Sequence, residues 1–181
     1  VRDGLAISLM AASGRGKSTT AAAMVERGWS LMSDDVTVIS LEDSESLVFP
    51  GEAHHRFTAE SCAYFNREFD PAKPFAYDKW RQKVARHHDR PEPLAAIFVL
   101  REGDSLQPRF EPIRGVDKVV LLQRHCFRNH IIDHLGKRHE QVRLLTELAS
   151  KTPIRRVHTK RDLENLPNLA EAIENAALQL R

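Results

Sequence analysis

Residues 11–18 read Ala-Ala-Ser-Gly-Arg-Gly-Lys-Ser, between a short apolar run, Leu5-Ala-Ile-Ser-Leu-Met10, and an alanine-rich run from Ser18 to Arg27. No other stretch constrains the fold as tightly. A glycine-punctuated loop ending in Lys-Ser, set between a buried strand and a helix, receives the free N–H groups of the helix start and becomes an anion site. In such a loop backbone N–H groups wrap phosphates, the lysine reaches the terminal phosphate oxygens and the Ser hydroxyl ligates Mg²⁺. Ser13, Gly14, Arg15, Gly16, Lys17, Ser18 and Thr19 are therefore the candidate nucleotide-binding residues. Ala11 stands where the motif has its first glycine, which a negative φ tolerates. Gly28 occupies the place of a left-handed helix cap.

A carboxylate pair, Asp34-Asp35, follows sixteen residues after Ser18. If the fold returns it to the loop, the pair supplies a metal ligand and a proton acceptor for an attacking hydroxyl. Residues 29–33 should form a short strand ending at the pair. Residues 36–41 are β-branched and strand-like, residues 42–46 form a polar turn, and residues 47–49 continue as strand to Pro50-Gly51. The carboxylates thus lead into a β-hairpin rather than a helix. Consecutive strand residues point to opposite faces, so both reach one site only if the strand ends or bulges between them.

Residues 52–93 hold four prolines and two His pairs with little periodicity, which predicts a loop-rich insertion with short helices near 59–68 and 78–87. Residues 94–100, Leu-Ala-Ala-Ile-Phe-Val-Leu, are the clearest core strand. A helix is expected over 116–135, with Val116, Val120, Phe127, Ile131 and Leu135 on its buried face and Gly136 as its stop. A further helix should cover 138–150, a strand 153–157, and an amphipathic helix 169–180.

A chain of 181 residues is long enough for one domain with a core of its own. Its net charge of +2, with no Lys/Arg tail, points away from nucleic acid. No apolar stretch approaches membrane-spanning length and no signal peptide is visible, so no membrane partner is expected. Cys62 and Cys126 lack metal or redox spacing and read as reduced thiols of the cytoplasm. The chain opens on Val1 and enters a strand almost at once, so a missing N-terminal part is expected. Homo-oligomerisation is left open. His130 and His134 have i, i+4 spacing but no third ligand. Arg56, after the hairpin, is a candidate for phosphate or substrate carboxylate. Arg128 is a candidate for nucleotide or transferring phosphate, with Lys79 and Lys83 as similar candidates. Arg155, Arg156, Lys160 and Arg161 form the densest basic cluster, fitted to a nucleotide base or an acidic peptide or simply to surface.

Ser13-Gly-Arg-Gly-Lys-Ser-Thr-Thr20, Val25-Glu-Arg-Gly28 and Leu31-Met-Ser-Asp-Asp-Val36 together resemble the catalytic domain of HPr kinase/phosphorylase and its shorter relatives. Residues 93–100 and 122–128 look like the short relatives, among them kinases encoded with lasso-peptide and other ribosomal-peptide maturation genes. The resemblance implies an α/β fold, a P-loop-containing mixed β-sheet flanked by helices and related to phosphoenolpyruvate carboxykinase. It also implies transfer of the terminal phosphoryl of ATP, with Mg²⁺, to a Ser hydroxyl of a peptide or protein. By position, Lys17 grips the phosphates, Ser18 holds Mg²⁺, Asp34 is the acid/base facing the hydroxyl and Asp35 assists the metal. The chain lacks the glycine-rich segment that the bifunctional enzymes carry after their aspartates, and their upstream His could only precede Val1. Both departures point away from HPr as substrate and from reverse phosphatase chemistry. Two other functions compete: a small-molecule kinase of the shikimate or gluconate type, and a nucleotide-sensing regulatory module without turnover. In the first, the acidic pair leads into a helix; the second has no need of a base.

Overall fold

The longest strand organises the molecule because both of its faces are apolar. The structure, a computed structural model, describes residues 1–42, 45–76 and 78–180, so residues 43 and 44 of the expected polar turn lie outside the described residues. Along the first part of the chain the elements are β1 (Ala6–Met10), α1 (Lys17–Glu26), β2 (Val38–Leu41), β3 (Ser46–Phe49), β4 (His54–Phe57), α2 (Ala59–Tyr64) and β5 (Trp80–Lys83). They are followed by β6 (Glu92–Glu102), β7 (Arg109–Pro112), α3 (Val116–His125), α4 (Asn129–His134), α5 (Arg138–Lys151), β8 (Ile154–Thr159) and α6 (Leu166–Leu178). The main sheet runs β2-β3-β6-β8-β7, with β1 also beside β6, and mixes parallel and antiparallel pairs. This is the mixed α/β sheet expected.

Side-chain alternation divides β6 between two cores. Ala96, Phe98 and Leu100 pack with Ala23 and Met24 of α1 and with the apolar stripe of α6. Ile97 and Val99 pack on the opposite face with Leu121 and Leu122 of α3 and Leu145 and Leu148 of α5. Leu94 joins that second core although parity would send it to the first. The register between β1 and β6 shifts by one residue there, Ala6 pairing Leu94 and Ile7 pairing Ala96, and the bulge turns Leu94 over.

Three expectations are corrected. Residues 29–33 form no strand: Leu31 alone bridges His87, and the backbone bonds go to scattered partners, Ser30 N–H to Val1 O (2.8 Å) and Leu31 N–H to Arg86 O (2.9 Å), rather than to one neighbouring strand. Residues 78–87 hold no helix. Trp80 to Lys83 alternate in exposure with period two and pair antiparallel with β4 as a separate two-stranded sheet. The helix expected over 116–135 breaks into α3 and α4, Cys126 being extended and Arg128 left-handed (φ +49°). Spacing across that break is no longer helical, so Phe127 and Leu135 are exposed, while Val116 and Val120 lie on the outward side of α3 itself. The inward face of α3 is fixed instead by Leu121, Leu122 and Lys118, whose ammonium donates to the carbonyls of Ala149 (2.7 Å) and Thr152 (2.9 Å) at the end of α5. The strands β4, β5 and β7 are not expected from sequence pattern.

Candidate active site

The loop between β1 and α1 can turn onto the helix start because Gly14 and Gly16 take φ of +73° and +85°, a region that a side chain at either position would strain. Thr20 N–H donates to Gly16 O (2.8 Å) and Arg15 N–H to Ala12 O (3.2 Å), leaving the N–H groups of residues 16–19 for a ligand. Lys17 folds back so that Nζ donates to Ala11 O at 3.3 Å. Burial lowers the pKa of this ammonium, the nearby charge of Lys79 lowers it further, and Asp35 and Asp34 act in the opposite sense. Arg15 is ion-paired with Glu102 at the end of β6.

The acidic pair does return to the loop. Ser18 Oγ donates to Asp34 Oδ2 at 2.9 Å, and the backbone N–H of Arg56 donates to the same oxygen at 3.1 Å. Asp34 Oδ1 is buried without a hydrogen-bond partner among the described residues, 3.5 Å from Nδ1 of the buried His55. Asp35, the next residue in the bend, turns away from this contact. Its Oδ2 accepts from Arg56 Nη1 at 2.6 Å, and Arg56 Nη2 donates to Glu52 at 3.1 Å. The side chain of Asp34 is 3% exposed and that of Asp35 53%. Of the two carboxylates, the one that meets the Ser18 hydroxyl is Asp34.

Mg²⁺ prefers oxygen donors and is commonly held by one or two carboxylates together with substrate phosphates. A Ser hydroxyl joined to a carboxylate that has one orphaned buried oxygen fits that ion. Among the described residues no group of three His, Cys, Asp or Glu side chains could hold a metal by itself, His130 and His134 included.

A cleft of about 390 Å³ opens in front of the loop, lined by residues 14–20, by the end of β6, and by residues 159–163 with the start of α6. Thr58, Ser61 and Lys79 close another part of its wall, and Thr19 Oγ1 lies 3.0 Å from Ser61 Oγ. Seven cationic side chains line it against three acidic ones, a balance suited to a polyanion. Of the sequence candidates, Gly14 to Thr19 and Arg56 line the cleft, as do Lys79, Lys160 and Arg161. Ser13, Asp34, Asp35, Lys83, Arg155, Arg156 and Arg128 do not, although Asp34 touches Ser18, which does. Arg156 pairs with Glu111 at 3.3 Å, and Arg128 lies over the exposed Phe127 ring at 5.2 Å, so the structure does not bring Arg128 to the site. His55 belongs to the site although no motif marks it. Its one sequence signal is the alternation of residues 54–57, in which His55 and Phe57 are the buried members.

No protein-family model and no curated protein matches the chain. Among solved structures, that of the Hpr(Ser) kinase/phosphatase from Coxiella burnetii is similar, at 12% identity and a TM-score of 0.51. The alignment covers 98% of this chain and 91% of that one. The fold is therefore of the HPr kinase-like P-loop type. No helix among the described residues is long and apolar enough to cross a membrane.

Proposed function

We propose that this chain is an ATP-dependent kinase that transfers the terminal phosphoryl group to a Ser or Thr hydroxyl of a peptide or protein. A ribosomally made precursor of the lasso type is the acceptor class to test first. The observation that carries this reading is the 2.9 Å contact between Asp34 and Ser18 of the phosphate loop, which lines a basic cleft. Phosphoryl transfer is mainly positioning and charge neutralisation, and these residues supply both. Residues 14–19 wrap the phosphates and Lys17 holds the terminal oxygens. Ser18 and Asp34 would hold Mg²⁺, which would neutralise charge on the phosphates. The acceptor oxygen bonds to the terminal phosphorus as the bond to the bridging oxygen breaks, and ADP leaves with that electron pair. The hydroxyl proton passes to a carboxylate, and Asp35 is the one an acceptor can reach. Arg56 orients it through the 2.6 Å hydrogen bond.

The turn from Asp35 into β2 supports this reading over a sugar- or metabolite-kinase one, where the acidic pair enters a helix. Incubation with ATP, Mg²⁺ and Ser-containing peptides, read by mass spectrometry, tests it. A gain of one phosphoryl group on a Ser or Thr is the expected result. Phosphorylation of a free metabolite with no peptide modified refutes the acceptor class, and absence of nucleotide binding refutes the kinase.

A further inference from the structure

The phosphate loop is not the only source of a lysine in the cleft. Lys79, immediately before β5, lines it as well, and its ammonium has no hydrogen bond or ion pair among the described residues. Lys17 lines the same cleft. Two like charges in one half-buried cleft repel, and the repulsion turns into attraction to both when an anion lies between them.

The backbone around Lys79 is pinned. Its N–H donates to Ala76 O (3.0 Å), its carbonyl accepts from Phe75 N–H (2.7 Å), and Trp80 Nε1 donates to Asp70 O (2.8 Å). The Phe75 ring lies 3.9 Å from the guanidinium of Arg81 and 5.1 Å from that of Arg56. Arg56 in turn holds Asp35. Lys79 is thereby tied to the carboxylate at the acceptor side, where the nucleotide ends in its terminal phosphoryl.

We propose that Lys79 is a second phosphoryl-binding lysine, a catalytic residue whose ammonium contacts the terminal phosphoryl group of the bound nucleotide from the acceptor side. This rests on the kinase reading above. It gives the transferring group cations on two sides, Lys17 from the loop and Lys79 from the segment before β5. Both then face the charge that develops on its oxygens in the transition state.

The test compares Mg·ATP and Mg·ADP affinity by calorimetry for the native chain and for Lys79→Gln, Lys79→Arg and Lys73→Gln. Lys73 is exposed and paired with Asp70 at 3.4 Å, and serves as the control. Lys79→Gln should bind ATP roughly tenfold more weakly, as loss of one charge-assisted bond implies, with ADP affinity kept within about twofold. Lys79→Arg should keep most ATP affinity and Lys73→Gln should change neither. Equal weakening of ATP and ADP by Lys79→Gln, or weakening of neither, overturns the inference while leaving the kinase reading intact. A folded native chain that binds neither nucleotide overturns both.

Discussion

Ser18 Oγ and Asp34 Oδ2 stand 2.9 Å apart, joining the first turn of α1 to a bend that follows it by sixteen residues. Under the proposed kinase reading the contact gives the two aspartates different roles. Asp34→Asn should raise the Mg²⁺ requirement, while most of the rate returns at saturating metal. Asp35→Asn should leave nucleotide affinity near native and lower transfer by roughly 10²–10⁴, the share a positioned base contributes. Rates measured across a Mg²⁺ titration distinguish them. The opposite pattern would make Asp34 the base, and equal losses of nucleotide affinity would make the pair a shared metal site.

Lys17→Ala should abolish transfer without unfolding the chain, because the ammonium acts on phosphate charge rather than on the core. Burial, with Lys79 adding to it, lowers the Lys17 pKa below its ordinary 10.5. Phosphate binding needs the charged form, so nucleotide affinity should fall as pH rises through that lowered value, earlier than for an ordinary lysine. Lys17→Arg stays protonated and should move the fall upward. Nucleotide titrations from neutral pH into the lysine range read both effects.

Glu174, buried in α6, accepts from Arg27 (Nε 2.7 Å, Nη2 2.5 Å) and Trp29 Nε1 (3.2 Å) and pairs with Arg2. Burial pushes its pKa up, but those hydrogen bonds and the two arginine charges outweigh it and hold the carboxyl below 4.5. A depressed carboxyl stabilises the fold above its unfolded pKa and loses that contribution as pH falls through the folded value. Glu174→Gln should cost roughly 1–3 kcal/mol at neutral pH by removing the charge-assisted bonds of a buried carboxylate to two partly exposed arginines. It should also flatten the acid limb of stability, and denaturant unfolding at neutral and acid pH measures both.

Gly51 passes Ser33 so closely that an added Cβ would sit 2.4 Å from Ser33 Oγ and 2.9 Å from its Cβ. Ser33 Oγ in turn donates to Val36 O at 2.6 Å, closing the bend that carries the aspartates. Gly51→Ala should therefore cost roughly 1–3 kcal/mol, as overpacking does, and displace Asp34 from Ser18. Ser33→Gly on that background removes both clashing atoms and should restore most of the stability. Thermal unfolding and transfer rate, followed together, check the pair of variants.

Residues 5–28 are legible in the amino-acid sequence because their conformation is decided within a few residues. The apolar run, the left-handed glycines and the helix start specify strand, loop and helix by local sterics and backbone hydrogen bonding. The same holds for β6, whose apolar run requires burial on both faces. The face of α3 is misread from sequence for the corresponding reason: its helical pattern is local, but the inward side is chosen by carbonyls of α5, more than thirty residues away. Short polar strands such as β4 and β5 carry little periodic signal and exist through pairing with each other. At the site, local chemistry marks the phosphate loop and the acidic pair. Long-range packing decides which carboxylate meets Ser18, that His55 lies beside it, and that Lys79 enters the cleft from a different part of the chain. Backbone preferences act over a few residues, whereas side-chain encounters depend on how the layers pack, and no local pattern encodes that.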